Sequence, residues 1–182
     1  MSAGGFLKSL MVSSAVLLAA CAGTTSVVNS EVKRDQITPL KNVVIITNLN
    51  LVLDADLFDS FSAQLTKELE KRGLTVTLMT VPAAESVAEK PDVKAMVAKT
   101  GADHVLSIFH GQGEEMIGGW TGEQRHLMQL DVIATVTDTK THQRVWGTKL
   151  DHKLGGTLRA ADVRAKGLLD AIMAEIGKTG MV

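Results

Sequence analysis

The sequence predicts a single-domain α/β fold in which helices pack against a mixed sheet of about five strands, in the order βαβαβββα. Three observations predict this fold. Short apolar runs rich in β-branched residues lie between turn-forming residues. Amphipathic segments with apolar residues every three or four positions separate several of these runs. Two strongly alternating segments follow each other late in the chain, which indicates an antiparallel hairpin.

The first strand-helix-strand unit is predicted from residue 42 onwards. A continuously apolar run over residues 42–48 indicates a strand that is buried on both faces. Asp54 or Asp56 can cap the next helix, and Gly73 is placed to end it in a left-handed conformation before a strand over 74–81. The apolar positions of this helix recur with helical spacing, at Leu57, Phe58, Phe61, Leu65 and Leu69.

The second half of the domain is predicted to contain two more helices and three more strands. Pro91 opens a short helix that Gly101 ends. A glycine-rich segment from His110 to Gln124 is expected to be a long loop. The three strands are predicted over residues 104–109, 128–137 and 144–150. The last helix has a broad apolar face formed by Val163, Leu168, Leu169, Ile172, Met173 and Ile176.

The N-terminal residues have the pattern of a secretory signal. Lys8 supplies the positive region, and the apolar run that follows ends at Leu18 before two small residues. The segment Leu18-Ala19-Ala20-Cys21 resembles the lipobox of bacterial lipoproteins. This resemblance implies removal of residues 1–20 by cleavage between Ala20 and Cys21. It also implies acylation of Cys21, with fatty acids such as palmitate anchoring the chain in the bilayer.

The resemblance also implies where the protein resides. Alanine at position 22, directly after the cysteine, implies sorting to the periplasmic face of the outer membrane. An uncleaved anchor with an incidental thiol is the alternative, although the apolar run is short of the ~20 residues that span a bilayer. Residues 21–39 are expected to form a flexible tether, because they are small, polar or charged without periodicity. The periplasmic domain then covers residues 40–182.

The composition excludes several classes of function. The full chain has 19 basic and 20 acidic residues, so its charge gives no reason to expect a nucleic-acid partner. Four Phe, two Trp and no Tyr leave few platforms for stacking bases or sugars. The only cysteine is Cys21, so no disulfide within the chain can stabilise the fold.

Two short motifs connect the domain to known families. Val136-Thr137-Asp138-Thr139-Lys140-Thr141, followed by Val145-Trp146-Gly147, and the segment Gly101-Ala102-Asp103-His104-Val105-Leu106 resemble motifs of periplasmic lipoproteins. These include the curli secretion lipoprotein, the lipoprotein activator of penicillin-binding protein and exopolysaccharide-export lipoproteins, which share a domain like the TolB N-terminal one. The resemblance implies the fold and the compartment but no reaction. Together with an open sheet edge, it also implies a homo-oligomer.

The sequence offers only weak candidates for metal-binding or catalytic residues. His104, His110 and His126, near Glu114 and Glu115 in sequence, are candidate metal ligands, but their spacing matches no tight ligand motif. The serines lack an obvious base and the glycines of a nucleophile elbow. We therefore expect neither an enzyme nor a bound cofactor.

The long loop carries the candidate contact residues. Met116, Ile117 and Trp120 are predicted to contact a protein partner or the membrane surface, since buried Trp anchors dominate interfaces. The alternative is that Trp120 folds back over the sheet edge as a lid. The sequence thus predicts a non-catalytic, outer-membrane-anchored lipoprotein that acts as an assembly, adaptor or export component with other envelope proteins. A carrier or sensor of a lipid, glycan or metal ion is the alternative function.

Overall fold

The computed structural model describes residues 24–82, 90–118, 124–154 and 159–182, with only the backbone at 112–118 and 124–128. The chain forms one mixed α/β domain, which confirms the predicted fold class. Its elements, in chain order, are β1 (Thr24–Val32), β2 (Asn42–Thr47), α1 (Ala55–Glu70), β3 (Thr75–Thr80), α2 (Pro91–Thr100), β4 (His104–Gly118), β5 (Gln124–Asp138), β6 (Arg144–Lys153) and α3 (Ala161–Gly177).

The strands form one six-stranded sheet in the order β1-β6-β5-β4-β2-β3. β2 lies parallel to both β3 and β4, as expected when a helix connects consecutive strands. The remaining neighbours are antiparallel. The run Val43–Ile46 of β2 is fully buried, because helices cover both faces of the sheet at this strand.

The core has two unequal parts. The larger part lies where α1 and α3 pack on one face of the sheet around Trp146 and Phe61. The smaller part lies under α2 and includes Val93 and Phe109. On this second face, β5, β6 and β1 carry exposed ion pairs.

The predicted helix ends are confirmed. Asp54 caps α1, because its carboxylate accepts a hydrogen bond of 2.9 Å from the backbone N–H of Leu57. Gly73, after α1, and Gly101, at the end of α2, have φ angles of 85° and 65°, which glycine adopts without a steric cost. Pro91 occupies the first turn of α2.

The tether prediction is wrong for residues 24–32. These residues form β1, an antiparallel edge strand that pairs with β6 from Thr24↔Lys153 to Val32↔Trp146. Five of its nine residues are Thr or Val, whose β-branched side chains suit a strand. The backbone groups of β6 on that side gain hydrogen-bond partners that a tether would not provide.

The prediction of a loop from His110 to Gln124 is also wrong. β4 continues to Gly118 and β5 starts at Gln124, and the two strands pair along this whole length. Register shifts occur between His110 and Gly113 and between Glu114 and Glu115. Each shift inverts the alternation of side chains, so the sequence lacks the period of two that identifies a strand.

Candidate functional site at the end of the sheet where the first strand begins

We call the end of the sheet at which β1 begins the leading end. Thr24 begins β1 there and pairs with Lys153, the last residue of β6. Lys153 pairs in turn with Gln129 of β5, and Gln129 pairs with Glu114 of β4. Beyond this row β4 and β5 pair only with each other, up to the pair Gly118↔Gln124. We call residues 115–118 and 124–128 the hairpin arm.

Helices α1, α2 and α3 also begin at the leading end. β2 and β3 run toward it, and α1 and α2 follow them in the chain. β6 ends there as well, and α3 follows it. The backbone N–H groups of a helix N-terminus carry a partial positive charge. The leading end therefore combines the start of β1, the hairpin arm and three positive helix ends.

A buried polar cluster fixes the start of β1 at this end. The Thr25 hydroxyl lies 2.8 Å from Nδ1 of His152, whose side chain is buried in β6. Burial, together with the smaller effect of the nearby Arg164 charge, lowers the pKa of His152 from 6.5 to about 4. The Arg164 guanidinium is itself buried and pairs with the Asp54 carboxylate at 3.0 Å. The imidazole is therefore neutral at neutral pH and joins β1 to β6.

The sequence-predicted contact residues are only partly described. Cys21, Ala20 and Trp120 lie outside the described residues. Met116 pairs with His126 and Ile117 with Arg125, so these two candidates lie on a strand of the hairpin arm instead of in a loop. The arm itself was not predicted from the sequence. The glycines at 111, 113 and 118, which suit β-bulges, were the available signal for it.

The predicted metal ligands are not brought together where they are described. His104 and His110 lie six residues apart on β4, which at ~3.3 Å per residue separates them by about 20 Å. Nδ1 of His110 contacts the Gly111 carbonyl oxygen at 3.1 Å. His126 lies on the arm, where the side chains are not described. Across the described part of the chain, no group of three His, Cys, Asp or Glu residues could hold a metal ion.

His104 instead belongs to a buried cluster at the other end of the sheet. Its Nδ1 lies 3.0 Å from the Asp103 carboxylate, and its Nε2 lies 3.1 Å from the Thr38 hydroxyl. These contacts link a carboxylate, an imidazole and a hydroxyl, as in a catalytic triad. However, a cavity of about 240 Å³ beside the cluster is lined by Asp138 and Thr139, and neither His104 nor Thr38 lines it. The contacts join the segment before β2 to the start of β4.

The two family-like motifs meet in this cluster. The Thr139 hydroxyl donates to the carbonyl oxygens of Ala102 and Asp103 at 2.8 and 2.9 Å. The Asp138 carboxylate accepts hydrogen bonds from the backbone N–H groups of Lys140 and Thr141. Burial alone raises the pKa of Asp138, but these bonds outweigh burial and hold it below its usual value. The motif residues therefore stabilise a corner of the fold.

A larger groove lies between α1 and α3. Its volume is about 540 Å³, and its lining combines the apolar Leu169 and Met173 with charged side chains. The carboxylates of Glu68 and Asp170 pair with cations of the same groove, but four cations against two carboxylates leave the lining with a net positive charge. Of the helices in the described ranges, none has the length and apolar character needed to cross a membrane.

The sequence matches no protein-family model and no curated protein sequence. Solved structures do resemble the fold. A dodecamer of a PelC variant from Paraburkholderia phytofirmans is 16% identical, with a TM-score of 0.52 over 85% of this chain and 97% of that chain. A second crystal form of the PelC dodecamer is 15% identical, with a TM-score of 0.50 over 85% and 96% of the two chains.

The lipoprotein GNA1162 from Neisseria meningitidis is 13% identical, with a TM-score of 0.43 over 76% of this chain and 99% of that chain. At these identities a likeness shows the fold alone. This chain therefore has the same type of α/β fold as PelC.

Proposed function

We propose that the protein is a non-catalytic lipoprotein of the bacterial cell envelope, anchored through acylated Cys21 on the periplasmic face of the outer membrane. In this proposal it acts as an assembly, adaptor or export component that associates with envelope proteins and with its own copies. The lipobox-like segment Leu18-Ala19-Ala20-Cys21 supports the anchor. The PelC-like fold supports the class of protein, because PelC crystallised as a dodecamer.

The observation that carries the proposal is the position of Thr24 at the leading end. Three peptide steps separate Cys21 from Thr24, and they span at most about 11 Å. A lipid on Cys21 therefore holds the leading end of the sheet close to the bilayer surface. A flexible tether over residues 21–39, which is 19 residues long, would instead have an r.m.s. span of about 25 Å.

The hairpin arm then reaches the membrane. From Gln129, level with Thr24, to Gln124 the arm extends five residues along the strand direction, or about 17 Å. This length exceeds the reach of the three residues that precede Thr24. Met116, Ile117 and Trp120 lie on the arm or in the segment that connects its strands, and we propose that they contact the bilayer surface or a partner bound there.

Crosslinked envelopes test the proposed class of function. The full-length protein, purified under denaturing conditions after crosslinking, is expected to recover envelope proteins in fixed proportion to itself. A chain that carries a small ligand instead is expected to recover no stoichiometric protein partner. Recovery of the protein alone, from envelopes in which it is lipid-anchored, would overturn the assembly role and leave the anchor intact.

Tryptophan fluorescence tests the arm contact. The chain has two tryptophans, so Trp146→Phe leaves Trp120 as the only one. In vesicles that contain brominated lipids, this variant is expected to lose fluorescence. Trp120→Phe is the matched control, because the remaining Trp146 is 1% exposed and lies in the protein core. Equal quenching of the two variants, or no quenching of either, would argue against membrane contact by the arm.

A further inference from the structure

The two edge strands of the sheet lack the charges that protect soluble proteins from edge-to-edge pairing. β3, with the sequence TVTLMT, has no charged residue. β1, with the sequence TTSVVNSEV, has only Glu31, whose carboxylate pairs with Arg144 of the same chain at 3.0 Å. Natural proteins usually cover an edge strand or place lysine or proline on it. A bulge near Val28 is the one protective device that β1 carries.

Apolar residues are exposed on both edges. Val27, Val28 and Val32 of β1 are 45%, 58% and 38% exposed, and Leu78 of β3 is 37% exposed. Val32 and Leu78 lie at the two ends of one row that crosses the sheet. The row runs through Val32, Trp146, Val136, Leu106, Ile45 and Leu78. Its four inner members are at most 1% exposed, so the row is a buried apolar stripe with two open ends.

The direction of the edge strands restricts how two anchored copies can meet. β1 runs away from the leading end, whereas β3 runs toward it. When both copies have the leading end at one bilayer, β1 of one copy and β3 of the next are antiparallel. Antiparallel pairing of two β1 strands would instead invert one copy and place its Cys21 away from the membrane.

We infer that copies of this chain join edge to edge in the plane of the membrane, with β1 of one copy paired antiparallel to β3 of its neighbour. Val32 of one copy then faces Leu78 of the next, and the apolar row continues from subunit to subunit. Such a contact uses two different surfaces, so it generates a ring or an open array. The inference rests on the proposed anchor, which supplies the common orientation, and it names the surfaces of the proposed self-association.

Disulfide formation between two single variants tests this pairing. Full-length Val32→Cys and Leu78→Cys chains with different tags are expressed in the same cells, and the envelopes are oxidised with copper phenanthroline. Directly opposed residues of antiparallel strands have Cβ atoms ~5 Å apart, which is close enough for a disulfide after small adjustments. We expect a dimer that carries both tags, and we expect it to be lost when either variant is expressed alone.

Matched controls identify chance encounters. Leu51→Cys and Val163→Cys are 55% and 38% exposed but lie outside the sheet, so this pair is expected to give no dimer above the wild-type background. A Val32→Cys dimer as abundant as the mixed one would show pairing of two β1 strands and overturn the inference. Absence of the mixed dimer would also overturn it.

Detergent-phase partitioning of the wild-type chain, measured in parallel, separates this inference from the proposed anchor. A lipid-anchored chain without the mixed dimer would refute the edge pairing alone. A mixed dimer from a chain without a lipid would support the edge pairing and refute the anchor.

A charged substitution on the edge strand tests the pairing a second time, without a disulfide. Val32→Lys is expected to abolish oligomers of the detergent-solubilised full chain, and Ile133→Lys, on the sheet face away from the edges, is expected to leave them unchanged.

Discussion

The Thr25 hydroxyl lies 2.8 Å from Nδ1 of His152, and this contact joins the start of β1 to the last residues of β6. The imidazole is 1% exposed, so only its neutral form is well accommodated. The contact holds the start of β1 in register at the leading end. Its strength therefore depends on the protonation state of His152.

Acid should weaken the fold through His152. The pKa of this group is lowered from 6.5 to about 4 on folding, so below pH 6.5 the unfolded chain binds a proton that the folded chain does not. The lowered pKa of His152 contributes about 3 kcal/mol to the free energy of unfolding. This contribution is fully present above pH 6.5 and is lost as the pH falls toward 4. Denaturant unfolding at pH 7 and near pH 4 measures this loss.

Substitution of His152 isolates its share from that of the carboxylates. His152→Asn removes the titrating group and keeps a polar atom near Thr25, so its free energy of unfolding should fall less between the two pH values. His142→Asn is the control, because His142 is exposed in a turn with a φ of 58°, which asparagine tolerates. An unchanged acid dependence in His152→Asn would refute the role of the imidazole.

Removal of the Asp138 side chain should destabilise the corner where the two motifs meet. Asp138→Ala deletes the acceptor for the backbone N–H groups of Lys140 and Thr141 and for the Thr141 hydroxyl. We expect a loss of about 1–3 kcal/mol in the free energy of unfolding. Asp59→Ala, at an exposed position of α1, should change it by no more than ~0.5 kcal/mol. Equal effects of the two substitutions would show that the corner bonds contribute little.

The two tryptophans should respond differently to truncation. Trp146→Ala is expected to cost about 3–5 kcal/mol, because it leaves a cavity where a 1% exposed side chain packs against the core. A contact residue is exposed in the isolated domain, so Trp120→Ala should leave the melting temperature nearly unchanged and reduce the recovery of envelope partners. If Trp120→Ala unfolds the domain, Trp120 is a lid over the sheet and the contact proposal is wrong.

Much of the fold could be predicted because local signals agreed with tertiary packing. The buried run of β2 is continuously apolar, and α1 combines a cap at Asp54, an apolar stripe and Gly73 at its end. β1 could not be identified in the same way. It is exposed at nearly every position, so its side chains show no buried period, and only its pairing with β6 makes it a strand.

The candidate site was harder to predict than the fold. An extra residue in β4 before Gly113 and another in β5 at Met128 shift the pairing register, so the hairpin arm lacks the period of two that identifies a strand. Contacts between distant segments also leave no local signal. Thr139 and Asp103 belong to motifs that are far apart in sequence, and only the pairing of β4 with β5 brings them within 2.9 Å.

Mass spectrometry of the mature N-terminal peptide tests the central claim of a lipid anchor most directly. The full-length wild-type protein should begin at Cys21 and carry the added mass of its acyl chains, and it should enter the detergent phase. Cys21→Ser should lack that mass, retain residues 1–20 or be cleaved elsewhere, and leave the detergent phase if it is released from the membrane. A wild-type chain with unmodified Cys21, or a Cys21→Ser chain with the same mature N-terminus and the same partitioning, would contradict the lipoprotein account.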